Sequence, residues 1–188
     1  MANLSDFLPA SGGGGGGGIP KYQEFITSGT FIPSQALIDA GGRVSYMIVA
    51  GGYSTADTWV GGEGGEVLLG YATLTSTNSC TVIVGAGGVN AASPAGTNSS
   101  VSFSAAGGTD ITAVSGGQKI SNSWTAASNA NSNGYGASAG NGIFGYGAGG
   151  GMRNTGGGGI RSAKPNTGQG TIYNSPAGSG FVRITWFE

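Results

Sequence analysis

Apolar runs in this chain keep stopping at pairs of glycines. YMIVAGG (46–52), CTVIVGAGG (80–88), SVSFSAAGG (100–108) and DITAVSGG (110–117) all end this way. Runs of about six residues are short for helices and fit strands. Paired glycines supply the positive φ that tight turns need. In RVSYMIV (43–49), Val44, Tyr46 and Ile48 alternate with Ser45, Met47 and Val49. Both faces are fairly apolar, which predicts a central strand. EVLLGYATLT (66–75) is another β-type run. GSGFVRITWFE (178–188) closes the chain with Val182, Ile184 and Trp186 alternating with Phe181, Arg183, Thr185 and Phe187. KYQEFITSGTFIP (21–33) reads as a strand, a TSGT turn and a second short strand. SQALIDAGG (34–42) reads as a short helix capped by Ser34 and stopped at Gly41. Strands at this spacing predict an all-β fold, an antiparallel β-sandwich or barrel with long glycine-rich loops.

The loops are where composition matters. Glycine supplies 42 of 188 residues, about three times the usual share. Disorder usually couples low hydrophobicity to high net charge. Here 8% of residues are charged, the net charge is −1 and 38% are hydrophobic. The combination predicts a folded β domain. Ordering each glycine costs extra backbone entropy, so an oligomer is expected to help the fold. No basic stripe is present to neutralise phosphates, which argues against nucleic-acid binding. Cys80 is the single cysteine and reads as a small buried hydrophobe. Between Gln118 and Gly180 regular strand patterning nearly vanishes, so this region is expected to project from the core as loops.

Seven consecutive glycines, Gly12–Gly18, divide the chain. They have no side chains to pack, and a linker of this kind spans roughly 15 Å and at most about 23 Å. They read as a tether. Before them, Leu4, Phe7 and Leu8 space as i, i+3, i+4, one apolar face of a single helical turn that Pro9 would stop. Eleven residues cannot bury three such side chains alone, so residues 1–11 read as a docking peptide, with a frayed terminus as the alternative. The expected organisation is docking peptide 1–11, polyglycine tether 12–18 and glycine-rich β domain 19–188. The N-terminal MANLSDFLPAS has no basic flank or long apolar stretch and does not read as a secretory signal. No run approaches 18 apolar residues, so membrane insertion is not expected.

Chemistry-bearing motifs are sparse. The chain has no histidine, and its three lysines are scattered, so no nucleophile–base pair can be built in the usual way and no catalytic residue is assigned. Glu63 and Glu66 in GGEGGEV read as solvated loop carboxylates; no metal site and no cofactor are expected. Gly140, Gly142 and Gly145 match G-x-G-x-x-G, but no strand precedes them and no acid follows at the required distance. Trp124, Tyr135, Phe144 and Tyr146 lie among Gly, Ser and Asn, where rings can offer apolar area and neighbours can offer hydrogen bonds. They are candidates for contact with a receptor, or alternatively pin the loops or a subunit interface.

The collinear set TSGTFIP (27–33), YMIVAGG (46–52), GGEGGEVLLGYATL (61–74), CTVIVGAGG (80–88) and GSGFVRITWF (178–187) resembles the glycine-rich domain of tailed-bacteriophage virion proteins, especially tail fibres. The resemblance covers Phe25 to the C-terminus and begins in that family with a hairpin. It implies a non-enzymatic virion component, often a homotrimer, assembled in the host cytoplasm and displayed toward the host. The implied roles are tail fibre or tail-tip adhesin binding a host surface glycan or protein, or else capsid decoration protein or head fibre held by its N-terminal peptide to other virion proteins. Some related adhesins pack glycines into polyglycine-II bundles. The longest internal run here is only GGGG (156–159), so irregular loops are expected instead.

Deleting residues 1–11 is expected to abolish incorporation into the particle while leaving the domain folded. Western blotting of purified particles, with circular dichroism of the truncated protein, checks this.

Overall fold

The computed structural model describes residues 18–54, 64–89, 95–115 and 176–188. Eight strands are described: β1 (Pro20–Phe25), β2 (Gly29–Phe31), β3 (Arg43–Val49), β4 (Val67–Thr73), β5 (Cys80–Ile83), β6 (Ser99–Val101), β7 (Ile111–Ala113) and β8 (Phe181–Phe187). They form two antiparallel sheets, ordered β1-β8-β3-β4 and β2-β5-β6-β7. No barrel closes among the described residues. The fold is an all-β sandwich, and of the two architectures expected only this one is present.

β3 lies between β8 and β4, the central position its two apolar faces imply. β8 also lies inside its sheet, between β1 and β3. Val44, Ile48, Val182 and Ile184 from this sheet are fully buried against Phe31, Val82, Val101 and Phe103 from the other side. Each such side chain contributes about 1.5–3 kcal/mol relative to exposure. Two aromatic pairs cross between the layers. Phe31 meets Trp186 edge-on with centroids 5.3 Å apart, and Tyr46 tilts toward Phe103 at 5.9 Å. Tyr46 pairs with Gly70 across β3 and β4, and a Cβ at Gly70 would press on the tyrosine ring. Cys80 is fully buried in this core, and burial pushes its thiol pKa up.

Two local expectations are corrected. β1 and β2 are not a hairpin: β1 pairs with β8 and β2 with β5, so residues 26–28 carry the chain from one sheet to the other. The alternation in KYQEFITSGTFIP gives two strands but does not say which sheets take them. The run 100–108 is not one strand either. β6 ends at Val101, and Phe103–Ala106 turn as a 3-10 helix that buries Phe103 and Ala106 and ends at Gly107 with φ 87°.

The helix α1 (Gln35–Asp39) forms as its caps dictate. Ser34 Oγ accepts the Leu37 N–H at 3.0 Å, and Gly41 and Gly42 take φ of 100° and 67° beyond its C-terminus. The same Ser34 hydroxyl donates to the Glu188 carboxylate, which also faces Lys21 Nζ at 3.4 Å. Ile19 and Glu188 exchange both backbone hydrogen bonds, Ile19 N–H to Glu188 O at 2.7 Å and Glu188 N–H to Ile19 O at 3.2 Å. The chain entering from the glycine run therefore meets β8 at the sheet's end.

The Ser34 hydroxyl, with Lys21 assisting, holds the Glu188 carboxyl below the usual range. A depressed folded pKa gives stabilisation that is present above the unfolded value and lost as pH falls through the folded one. Wild type should therefore melt higher than Glu188→Gln at pH 6, and the gap should be smaller at pH 3. Thermal denaturation at both pH values checks this.

Candidate functional site

The glycine-rich turns converge at one end of the sandwich. β3 and β5 run into it, at 50–54 and 84–89, and β7 runs into it at Val114 and Ser115. Residues 64–66 lead out of it into β4, residues 95–98 into β6 and residues 176–180 into β8. β8 spans seven residues, so this end lies about 20 Å from the Ile19–Glu188 pair.

Backbone groups hold these segments together. Gly51 N–H donates to Thr97 O at 3.1 Å and Gly52 N–H to Gly178 O at 3.0 Å. Gly88 N–H donates to Gly52 O at 2.9 Å, Ala177 N–H to Gly88 O at 2.8 Å and Gly180 N–H to Gly85 O at 2.7 Å. Segments from both sheets are thus stitched into one layer. Ser99 adds a buried side-chain link: its Oγ accepts from Gly85 N–H at 2.8 Å and donates to Val49 O at 2.6 Å. A hydroxyl that both accepts and donates here leaves neither backbone group unpaired.

The reason for glycine at these positions differs from the turn chemistry expected. Positive φ occurs at Gly41, Gly42 and Gly107, but not at Gly51, Gly65, Gly85 or Gly87. At the latter four a Cβ would lie well inside 3.0 Å of a neighbouring carbonyl: that of Ala86, Ala50, Thr97 and Ala177 respectively. Glycine is required because backbone meets backbone, with no room for a side chain.

Glu66 is the second correction in this region. It is not a solvated loop carboxylate but 5% exposed. Its Oε2 accepts the Val114 N–H at 2.8 Å and its own N–H donates to Val114 O at 2.9 Å. The side chain folds back onto the backbone where the edge of one sheet meets the exit of β7 in the other. The buried carboxyl oxygen next to a backbone donor keeps a partner. Glu63 lies outside the described residues, as does the Gly140, Gly142 and Gly145 motif.

The candidate receptor-contact residues Trp124, Tyr135, Phe144 and Tyr146 also lie outside the described residues, and so do Leu4, Phe7 and Leu8 of the N-terminal segment. What the structure places is their flanks. Ser115 and Pro176, which flank residues 116–175, lie at the glycine-layer end, and so do Ser54, Gly64, Val89 and Ala95, whereas Gly18, which follows residues 1–17, lies at the opposite end. Among the described residues no group of three or more His, Cys, Asp or Glu could hold a metal ion.

A feature that sequence reasoning missed lies on the outer face of the first sheet. Tyr22, Thr185, Ser45 and Tyr71 form one row across its four strands. Tyr22 and Tyr71 are exposed. The Arg183 guanidinium lies 5.8 Å from the Tyr22 ring centre and 5.7 Å from that of Phe181, and pairs with Glu24. Arg43 lies 5.0 Å over Tyr71. The period-two alternation of β1 and β4 was the available signal. Comparison with known proteins found no family model, no curated protein and no solved structure that matches the chain.

Gly51→Ala should lower stability by several kcal/mol, on the order of the worst single substitutions, because its Cβ meets the Ala86 carbonyl. Gly41→Ala, at positive φ but with open space around it, should cost only about 1 kcal/mol. Urea denaturation of the two variants checks the ranking.

Proposed function

We propose that this chain is a bacteriophage virion structural protein, a tail fibre or tail-tip adhesin that binds a host surface glycan or protein through its glycine-rich loops. The observation that carries this reading is the polarity of the sandwich. The segment following the glycine tether enters at one end, and Ser115 and Pro176, which flank residues 116–175, lie at the other, about 20 Å away. A domain anchored at one end, with the glycine-rich stretch 116–175 leaving and rejoining it at the other, is suited to display. Its attachment is multivalent, several weak sites on one particle giving avidity beyond any single contact. Trp124, Tyr135, Phe144 and Tyr146 would supply the contact surface and Leu4, Phe7 and Leu8 the hold on other virion proteins.

The second reading is a capsid decoration protein or head fibre anchored by residues 1–11. The small reach of the described core favours it, since strands of seven residues extend a projection by only about 20 Å. Electron microscopy of a purified particle separates the two: a few copies at the tail support the adhesin, and many copies over the capsid support decoration. Replacing Tyr135 and Tyr146 with Ala should weaken attachment to host cells without lowering the melting temperature. Unchanged attachment, or a large stability loss, would count against receptor contact by these rings.

A further inference from the structure

Among the described residues the sandwich has four edge strands, and three of them are blunted. β2 and β7 are only three residues long. β1 carries Pro20, which has no N–H to offer, and the charged Lys21 and Glu24. Short length, proline and charge are the usual means by which an edge refuses a further strand. β4 has none of them. It is seven residues long, and neither proline nor a charged residue occurs from Val67 to Ser79.

Among the described residues β4 pairs only with β3. Its flanks are tied down, Glu66 N–H to Val114 O and Leu74 N–H to Gly42 O. Tyr71 and Thr73 are exposed and Leu68, Leu69, Gly70 and Ala72 are half-buried.

We infer that the edge of β4 facing away from β3 is a homodimer interface, at which β4 of a second copy adds antiparallel about a two-fold axis through Gly70. The sequence VLLGYAT is self-complementary in that register. Gly70 faces its own copy at the axis, where its lack of a side chain permits the closest approach. Leu69 stands opposite the partner's Tyr71, an aliphatic–aromatic pair of the kind that stabilises neighbouring strands. Leu68 stands opposite the partner's Ala72. Leu69 and Tyr71 share the outer face with Met47 and Ser45, and Leu68 and Ala72 share the inner face with the core, so the pairing keeps both faces in order. Two four-stranded sheets become one of eight strands, and the exposed ring of Tyr71 is covered. A second copy is the occupant because the strand matches itself on both faces and lacks the short length, proline and charge that blunt the other three edges. The inference does not rest on the proposed function. Antiparallel self-pairing is a two-fold relation, so β4 cannot close a three-fold ring in this way.

Light scattering coupled to size exclusion, on the full chain at tens of micromolar, tests it. Wild type should have the mass of a dimer. Combining Leu69→Lys with Tyr71→Lys sets like charges opposite each other twice across the axis and should halve the mass. Combining Leu69→Lys with Tyr71→Glu sets opposite charges in the same places and should restore the dimer. Circular dichroism melts confirm that each variant is folded. A monomeric or trimeric wild type overturns the inference, and so does a Lys/Lys variant that stays dimeric. If the Lys/Lys variant fails to fold, the Lys/Glu variant decides: a folded monomer overturns the inference.

Discussion

Contact between bare backbones is the constraint on which the rest of this structure depends. Turns from both sheets approach each other more closely than any side chain would permit, and they exchange N–H and C=O groups directly. A hydrogen bond of this kind is worth only about 1 kcal/mol net, but leaving a buried backbone group unpaired costs more. The layer is therefore held as much by the penalty for opening it as by the gain from closing it. Ser99 and Glu66 mark places where a side chain substitutes for backbone, each satisfying a group of the opposite sheet.

The opposite end is held by different means. There Phe31, Trp186, Tyr46 and Phe103 fill the space between the sheets, and the Ile19–Glu188 pair closes the first sheet. The two ends share the strands but not the chemistry. One is an ordinary apolar core with a polar latch, and the other a nearly side-chain-free lattice. A chain with so few charges has little else to use: three Lys or Arg side chains occur among the described residues, and two of these make ion pairs.

Much of the fold was legible in the sequence. The alternation in RVSYMIV and FVRITWF located two strands of the first sheet, and the apolar residues on both faces of RVSYMIV marked it as central, whereas the inner place of FVRITWF was not read. Ser34 and Gly41 bounded the helix through capping chemistry that is local and therefore readable. Sheet membership was not readable: β1 and β2 look like a hairpin in sequence, and only long-range pairing with β8 and β5 separates them. The role of the glycine pairs was misread for a related reason. Close approach between residues dozens of positions apart leaves the same letter in the sequence as a tight turn does. Glu66 was misread because its partner, Val114, is 48 residues away. Of the site, the sequence offered aromatic residues in a glycine-rich setting, and the structure adds the end of the sandwich from which that setting begins.

A lattice that grips peptide units is indifferent to the letters that follow. Where Gly51, Gly52, Gly85, Gly88 and Ala177 meet through their own amides and carbonyls, a substitution is felt as added volume and not as lost bonding chemistry, because no side chain makes those bonds.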